Sequence, residues 1–126
     1  MPGKVYRTAI YCRLSREDGD KVESNSIASQ RAICEDYIAR HDDLEIVCEP
    51  FVDDGYSGVS FNRPNFKKLE DAIRKGAIDC IVVKDLSRFS RNYIDGGRYL
   101  EKIFPQLGIR FIAVNDAYDS LTGDPQ

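Results

Sequence analysis

Apolar positions along the chain fall into short continuous runs separated by stripes at helical spacing. Lys4 to Leu14 carries Val5, Ala9, Ile10, Cys12 and Leu14, a mostly apolar segment suited to a strand covered by helices. The polar stretch Arg16 to Asn25, with Glu17-Asp18-Gly19-Asp20 as a turn, leads away from it. Ser26 stands where an N-cap is needed, and Ile27, Ile33, Cys34, Tyr37, Ile38 and His41 recur at helical spacing. Leu44 to Val52 predicts a second strand, followed by the glycine-punctuated loop Asp53 to Gly58. Arg63-Pro64-Asn65 opens the next helix, because proline suits the first helical position. Phe66, Leu69 and Ile73 form its buried stripe, and Gly76 stops it. Ile78 to Lys84, with Cys80-Ile81-Val82-Val83 at its centre, predicts a third strand, which the polar segment Asp85 to Asn92 leaves. Tyr93, Ile94, Gly97, Leu100, Ile103 and Phe104 describe a further helix, brought to an end by Pro105 and Gly108, before a strand from Ile109 to Val114. The tail from Asn115 to Gln126 offers no clear element.

This β-α-β-α-β-α-β alternation predicts a three-layer α/β fold over residues 1–126: a mostly parallel flavodoxin-like sheet of order about 2-1-3-4 with helices on both faces. In that order the first and third strands are neighbours. Ser15 and the Arg88/Arg91 segment then emerge side by side at the carboxyl edge, where ligands bind in open parallel sheets.

Composition narrows the partners. At 126 residues, 42% hydrophobic and 31% charged, the chain has the make-up of one soluble globular domain. The net charge of -3 excludes a strongly basic nucleic-acid binder, so any polyanion site must be a local cluster. Cys12, Cys34, Cys48 and Cys80 are widely spaced and the chain has one histidine, which reads as buried reduced thiols without a metal site. No secretory signal precedes the first strand, and no apolar run reaches the ~18 residues of a membrane span. A reducing cytoplasm is the expected location.

Candidate chemistry centres on Ser15, directly after the first strand. A serine attacking a phosphodiester must lose its proton, and the equatorial oxygens of the transition state must be neutralised. Arginines do the latter with paired N–H donors that stay charged. Arg13 lies two residues before Ser15 on the same strand face. Arg88 and Arg91, three apart at a helix start, are placed to face one site with the helix dipole behind them. Ordinary readings stand beside these. Ser15 is also a typical strand-end serine, and Arg13 could pair with Asp53, Asp54 or Asp85. Ser87 or Ser90 could cap the next helix, Gln30 could be a solvated or capping side chain, and His41 a helix-end residue favouring the dipole. Asp53-Asp54 suits a hard cation such as magnesium, but no third carboxylate has helpful spacing.

Tyr11-x-Arg13-x-Ser15, Ser26-Ile27-x-x-Gln30, Asp54-Gly55-Tyr56-Ser57-Gly58 with Arg63-Pro64, and Asp85-Leu86-Ser87-Arg88-Phe89-x-Arg91-Asn92 stand in order along the chain. Together they resemble the catalytic domain of serine site-specific recombinases, in particular the large serine recombinases of mobile elements. The resemblance spans about Val5 to Tyr118. It implies that Ser15 attacks a DNA phosphate to form a 5'-phosphoserine link and releases a 3'-hydroxyl. Arg13, Arg88 and Arg91 would bind and polarise the scissile phosphate. Tyr11, Gln30, Asp54, Ser57, Arg63 and Ser87 would support or position it. It implies neither metal nor nucleotide cofactor, double-stranded DNA recombination sites as partners, and a dimer and synaptic tetramer in a longer bacterial protein with a dimerising helix and DNA-binding domains. Integration or excision of a transposon or prophage is the expected outcome. Resolvases and invertases usually carry an aspartate where this chain has Ser87, leaving the general acid and base open, with Asp85 and Asp54 as candidates. The competing expectations are a receiver-like or small-molecule phosphate-binding domain, which would phosphorylate Asp85, and a non-catalytic assembly module.

Overall fold

The computed structural model describes residues 4–14, 26–55, 62–90 and 92–122. Strand β1 (Tyr6–Leu14) runs through the middle of the sheet and is buried from Thr8 to Arg13. Helix α1 (Ile27–Ala39) follows, with Ser26 Oγ accepting from the Ser29 N–H as the spacing predicts. Strands β2 (Leu44–Ile46) and β3 (Phe51–Asp54) come next, then helix α2 (Pro64–Arg74) with proline in its first turn. Strand β4 (Cys80–Val83) leads into the short helix α3 (Leu86–Phe89). Helix α4 (Tyr93–Arg98) continues through a π turn (Tyr99–Ile103) into α5 (Phe104–Leu107). Strands β5 (Arg110–Ala113) and β6 (Tyr118–Asp119) complete the sheet.

The strand order is β2-β1-β4-β5-β6, with β3 also on β1. All pairings are parallel except that of β6 on β5. The expected adjacency of the first and third predicted strands is therefore present, with Ala9 opposite Ile81 and Ile10 opposite Val82. Successive residues of β1 point to opposite faces, and two cores follow from that alternation. Ala9 and Tyr11 pack with Phe66, Leu69 and Ile73 of α2 and with Phe104 and Phe111. Ile10 and Cys12 pack with Cys34 and Ile38 of α1, together with Cys80, Val82 and Ile112. Full burial of each large apolar side chain contributes about 1.5–3 kcal/mol, so both helix layers are firmly held.

The structure departs from the sequence expectation in four places. The second strand is two strands: β2 pairs with Tyr6 to Thr8 and β3 with Tyr11 to Leu14. Between them lies Pro50, which has no N–H to give a ladder. The segment after β4 is not the start of one helix. Arg88 lies in the last turn of α3, and a new helix begins after Asn92. Pro105 does not end the following helix but sits in the first turn of α5, and Gly108, left-handed at φ 73°, ends it. The π turn before Pro105, in which the Phe104 N–H reaches Tyr99 O, loosens the ladder where a proline would otherwise clash. The tail holds β6, pinned by Ile112 opposite Asp119 and Ala113 opposite Tyr118.

Candidate active site

The β1–β4 ladder ends at the Ile10–Val82 pair, leaving the next main-chain groups of β1 on that side to find other partners. Gln30, fully buried in α1, supplies them at Arg13. Its Oε1 accepts from the Arg13 N–H at 3.2 Å and its Nε2 donates to Arg13 O at 3.1 Å. One carboxamide thus imitates a neighbouring strand. On the opposite side, Leu14 O accepts from the Gly55 N–H just beyond β3. The strand end preceding Ser15 is therefore held from both sides.

Two guanidiniums interlock above it. Arg13 donates through Nη2 to Ser87 O at 2.7 Å and through Nε to Arg88 O at 3.2 Å. Arg88 answers through Nη1 to Arg13 O at 2.9 Å. Both side chains are buried, and these bonds go to carbonyl oxygens, which fix direction without cancelling formal charge. Arg63 lies beside this pair, donating to Phe89 O at 2.6 Å and to the Tyr11 hydroxyl at 3.4 Å. Tyr11 in turn donates to Asp53 Oδ2 at 2.8 Å. Burial pushes the Tyr11 phenol well above its ordinary value, outweighing the opposing pull of Arg63, so it remains a neutral donor. Asp53 also accepts the Asn65 and Phe66 N–H groups at 3.0 and 2.9 Å, capping the first turn of α2. Its oxygens are thereby committed to protein donors rather than presented to a cation.

Asp85 is the N-cap of α3, with Oδ1 accepting from the Arg88 N–H at 3.3 Å. The same Oδ1 receives the Ser87 hydroxyl at 2.5 Å, while Ser87 Oγ accepts from Arg88 Nε at 3.3 Å and Nη2 at 3.2 Å. The cap residues are therefore Asp85 and, for α4, Asn92, whose Oδ1 accepts from the Ile94 and Asp95 N–H groups at 3.1 Å. Neither Ser87 nor Ser90 is an N-cap; Ser90 is the C-cap of α3, its N–H donating to Leu86 O. Ser90 Oγ instead closes the intervening turn by accepting from Asn92 N–H and donating to Asn92 O.

The fold thus gathers Tyr11, Arg13, Gln30, Arg63, Ser87 and Arg88 at one sheet edge. Asp54 lies at the exposed end of β3, in register with Leu14. Ser15, Ser57 and Arg91 lie outside the described residues. Arg13 takes the main-chain carbonyls of Ser87 and Arg88, and Gln30 is buried rather than solvated. The capping work of Asp53 escaped the sequence reading, since nothing links it to a helix beginning at Pro64. The sequence offered Ser87 or Ser90 as the cap and not Asp85, although an aspartate directly before Leu86 is an N-cap signal. Beside the site a cavity of about 560 Å³ opens between α3, α4 and β6, lined by residues including Leu86, Phe89, Leu100 and Tyr118. Among the described residues no group of histidine, cysteine, aspartate and glutamate is arranged to hold a metal ion.

A flavodoxin-like sheet whose carboxyl edge collects buried arginines around the end of its central strand defines the class of domain. Residues 8–125 match the family model "Resolvase, N terminal domain", and the chain belongs to that family. Among solved structures it superposes on the N-terminal catalytic domain of TP901-1 integrase with a TM-score of 0.80 and 26% identity, covering 93% of this chain and 83% of that one. A resolvase family site-specific recombinase from Streptococcus pneumoniae gives a TM-score of 0.73 and 29% identity, covering 94% and 78%. A Bacillus subtilis (strain 168) protein named "Putative DNA recombinase" is 31% identical over 87 residues, 69% of this chain and 16% of its own length. The chain thus spans a small part of that relative.

Proposed function

We propose that this chain is the catalytic domain of a DNA site-specific recombinase with Ser15 as nucleophile. The observation that carries the reading is the interlock of Arg13 and Arg88 over the strand end that Ser15 directly follows. In the proposed step the Ser15 oxygen, giving up its proton, forms a bond to a DNA phosphorus. The bond from phosphorus to the 3'-oxygen breaks, and that oxygen takes a proton to leave as a 3'-hydroxyl. The phosphoserine link retains the energy needed for rejoining, so the cycle requires no nucleotide. Arg13, Arg88 and Arg91 neutralise the phosphate oxygens as charge builds in the transition state. Gln30 and Arg63 act behind them, one fixing the Arg13 peptide and the other the Phe89 carbonyl and Tyr11. Asp54, at the exposed end of β3, and Ser57 are assigned supporting roles toward the same phosphate.

The partners in this reading are duplex recombination sites and further copies of the protein, as a dimer and then a synaptic tetramer. The reaction serves integration or excision of a mobile element. The reading places the protein in the bacterial cytoplasm. No helix among the described residues is long and apolar enough to cross a membrane. A receiver-type reading is disfavoured by Asp85, whose Oδ1 is occupied by the α3 cap and the Ser87 hydroxyl.

The test is covalent capture. The whole protein carrying this chain, incubated with a duplex DNA library and quenched in detergent, yields protein–DNA adducts that survive denaturation, and Ser15→Ala yields none. Adducts of equal amount in Ser15→Ala would remove Ser15 from the role of nucleophile.

A further inference from the structure

We propose that Asp85, acting through the hydroxyl of Ser87, is a positioning residue that aims the Arg88 guanidinium. This rests on the recombinase reading, since the scissile phosphate is what Arg88 is aimed at. A serine hydroxyl has one proton and two lone pairs. Here the proton is committed to Asp85 Oδ1 at 2.5 Å, which turns the lone pairs toward Arg88 Nε and Nη2 at 3.3 and 3.2 Å. The carboxylate stands 3.7 Å from Arg88 Nε, beyond a direct hydrogen bond, so the serine oxygen spans the gap.

The carboxylate is itself fixed, because Oδ1 caps α3 by accepting the Arg88 N–H. Arg88 is therefore held at its main chain by Asp85, along one guanidinium edge by Ser87, and at Nη1 by Arg13 O. The Arg88 side chain is 3% exposed and that of Asp85 is 23% exposed, so their charges are screened less than a surface pair would be. If Asp85 lost its charge, the Ser87 rotor would lose its strongest acceptor and cease to present lone pairs in a single direction. A guanidinium that neutralises a transition state loses much of its effect when misdirected, and displacement of about 1 Å can lower a rate ~100-fold.

Asp85→Asn keeps an oxygen for the α3 cap while removing the charge, which separates aiming from capping. The expected result is a rate of adduct formation about 10- to 100-fold below wild type with KM for DNA little changed. Ser87→Ala should give a similar loss, and the double variant no more than either alone, because the two residues act in series. Ser87→Asp in the Asp85→Asn background places a carboxylate within direct reach of Arg88 and should recover most of the rate. The Arg88 Nε–H signal in a nitrogen-correlated NMR spectrum gives a second readout that needs no DNA. It should exchange with water about 10-fold faster in Asp85→Asn, as expected of a hydrogen bond that opens more often. Wild-type adduct rate and wild-type Nε–H exchange in a folded Asp85→Asn protein would overturn the proposal and leave the Ser15 reading standing. Absence of adducts in wild type would instead remove the recombinase reading, and unchanged Nε–H exchange would then separately refute the aiming of Arg88 by Asp85.

Discussion

Gln30 illustrates how much a single polar side chain can settle at a strand end. Its carboxamide meets both main-chain groups of Arg13 in a buried setting, so its removal strands a donor rather than merely deleting a contact. Gln30→Met keeps the volume and removes both bonds. It should lower stability by about 1–3 kcal/mol, the cost of leaving a buried peptide group unsatisfied, measured as a shift in the urea midpoint at constant m. The sequence alone allowed Gln30 as a solvated or capping side chain, and its burial depends on where β4 stops pairing with β1. That is a property of two strands distant in sequence, and no local pattern encodes it. Arg13 is a similar case: strand alternation gave its face, while its carbonyl partners on α3 come from tertiary placement.

At the level of elements, the hydrophobic pattern gave the strands and helices in the right order and missed where proline and short polar residues interrupt them. Pro50 splits a predicted strand, and a predicted helix start is divided between Ser90, the C-cap of α3, and Asn92, the N-cap of α4. The second interruption depends on close packing. A Cβ built on Gly96 of α4 would stand 3.0 Å from Ser90 Cβ and 3.1 Å from Ser90 Oγ, and Ser90 is tied to Asn92. A Cβ on Gly97 would meet nothing within 4 Å. Helix propensity favours alanine over glycine by about 1 kcal/mol at either position. Gly97→Ala should therefore raise stability by roughly 0.5–1 kcal/mol, whereas Gly96→Ala should forfeit that gain by pushing Ser90 out of its turn. Thermal melts of the two variants, compared side by side, check the difference in sign.

Across the whole molecule, the edge opposite the site is tied by a separate charge network. Arg110, at the start of β5, donates to Asp119 of β6 at 2.6 and 3.0 Å and to Asp43 at 2.8 Å, with its guanidinium 5.0 Å from the Tyr6 ring centre. Arg110→Met should destabilise the fold by about 3 kcal/mol, the low end for a broken buried pair because Asp43 is partly exposed. The hydrogen bond from Arg110 holds the Asp43 carboxyl below its ordinary value of 3.8, against a smaller opposing effect of burial. A depressed carboxylate stabilises the fold above its unfolded value and ceases to do so as pH falls through the folded one. Wild type should thus lose stability more steeply than Arg110→Met as pH drops below about 4, measured by denaturant titration across that range. The sheet order and the edge that carries the site were both legible from the alternation of elements. The β6 edge strand was not, since two paired residues are too short to leave a periodic trace.

The mutual bonds of Arg13 and Arg88 also have a mechanical consequence. Gln30 links α1 to the Arg13 peptide, Arg13 links that peptide to α3, and Arg88 returns from α3 to the same carbonyl, forming a closed linkage. A slide of α1 by one residue, about 1.5 Å, would break both Gln30 bonds together. Helix α1, the end of β1 and α3 are therefore coupled, so that displacing any one of them breaks hydrogen bonds that tie it to the rest.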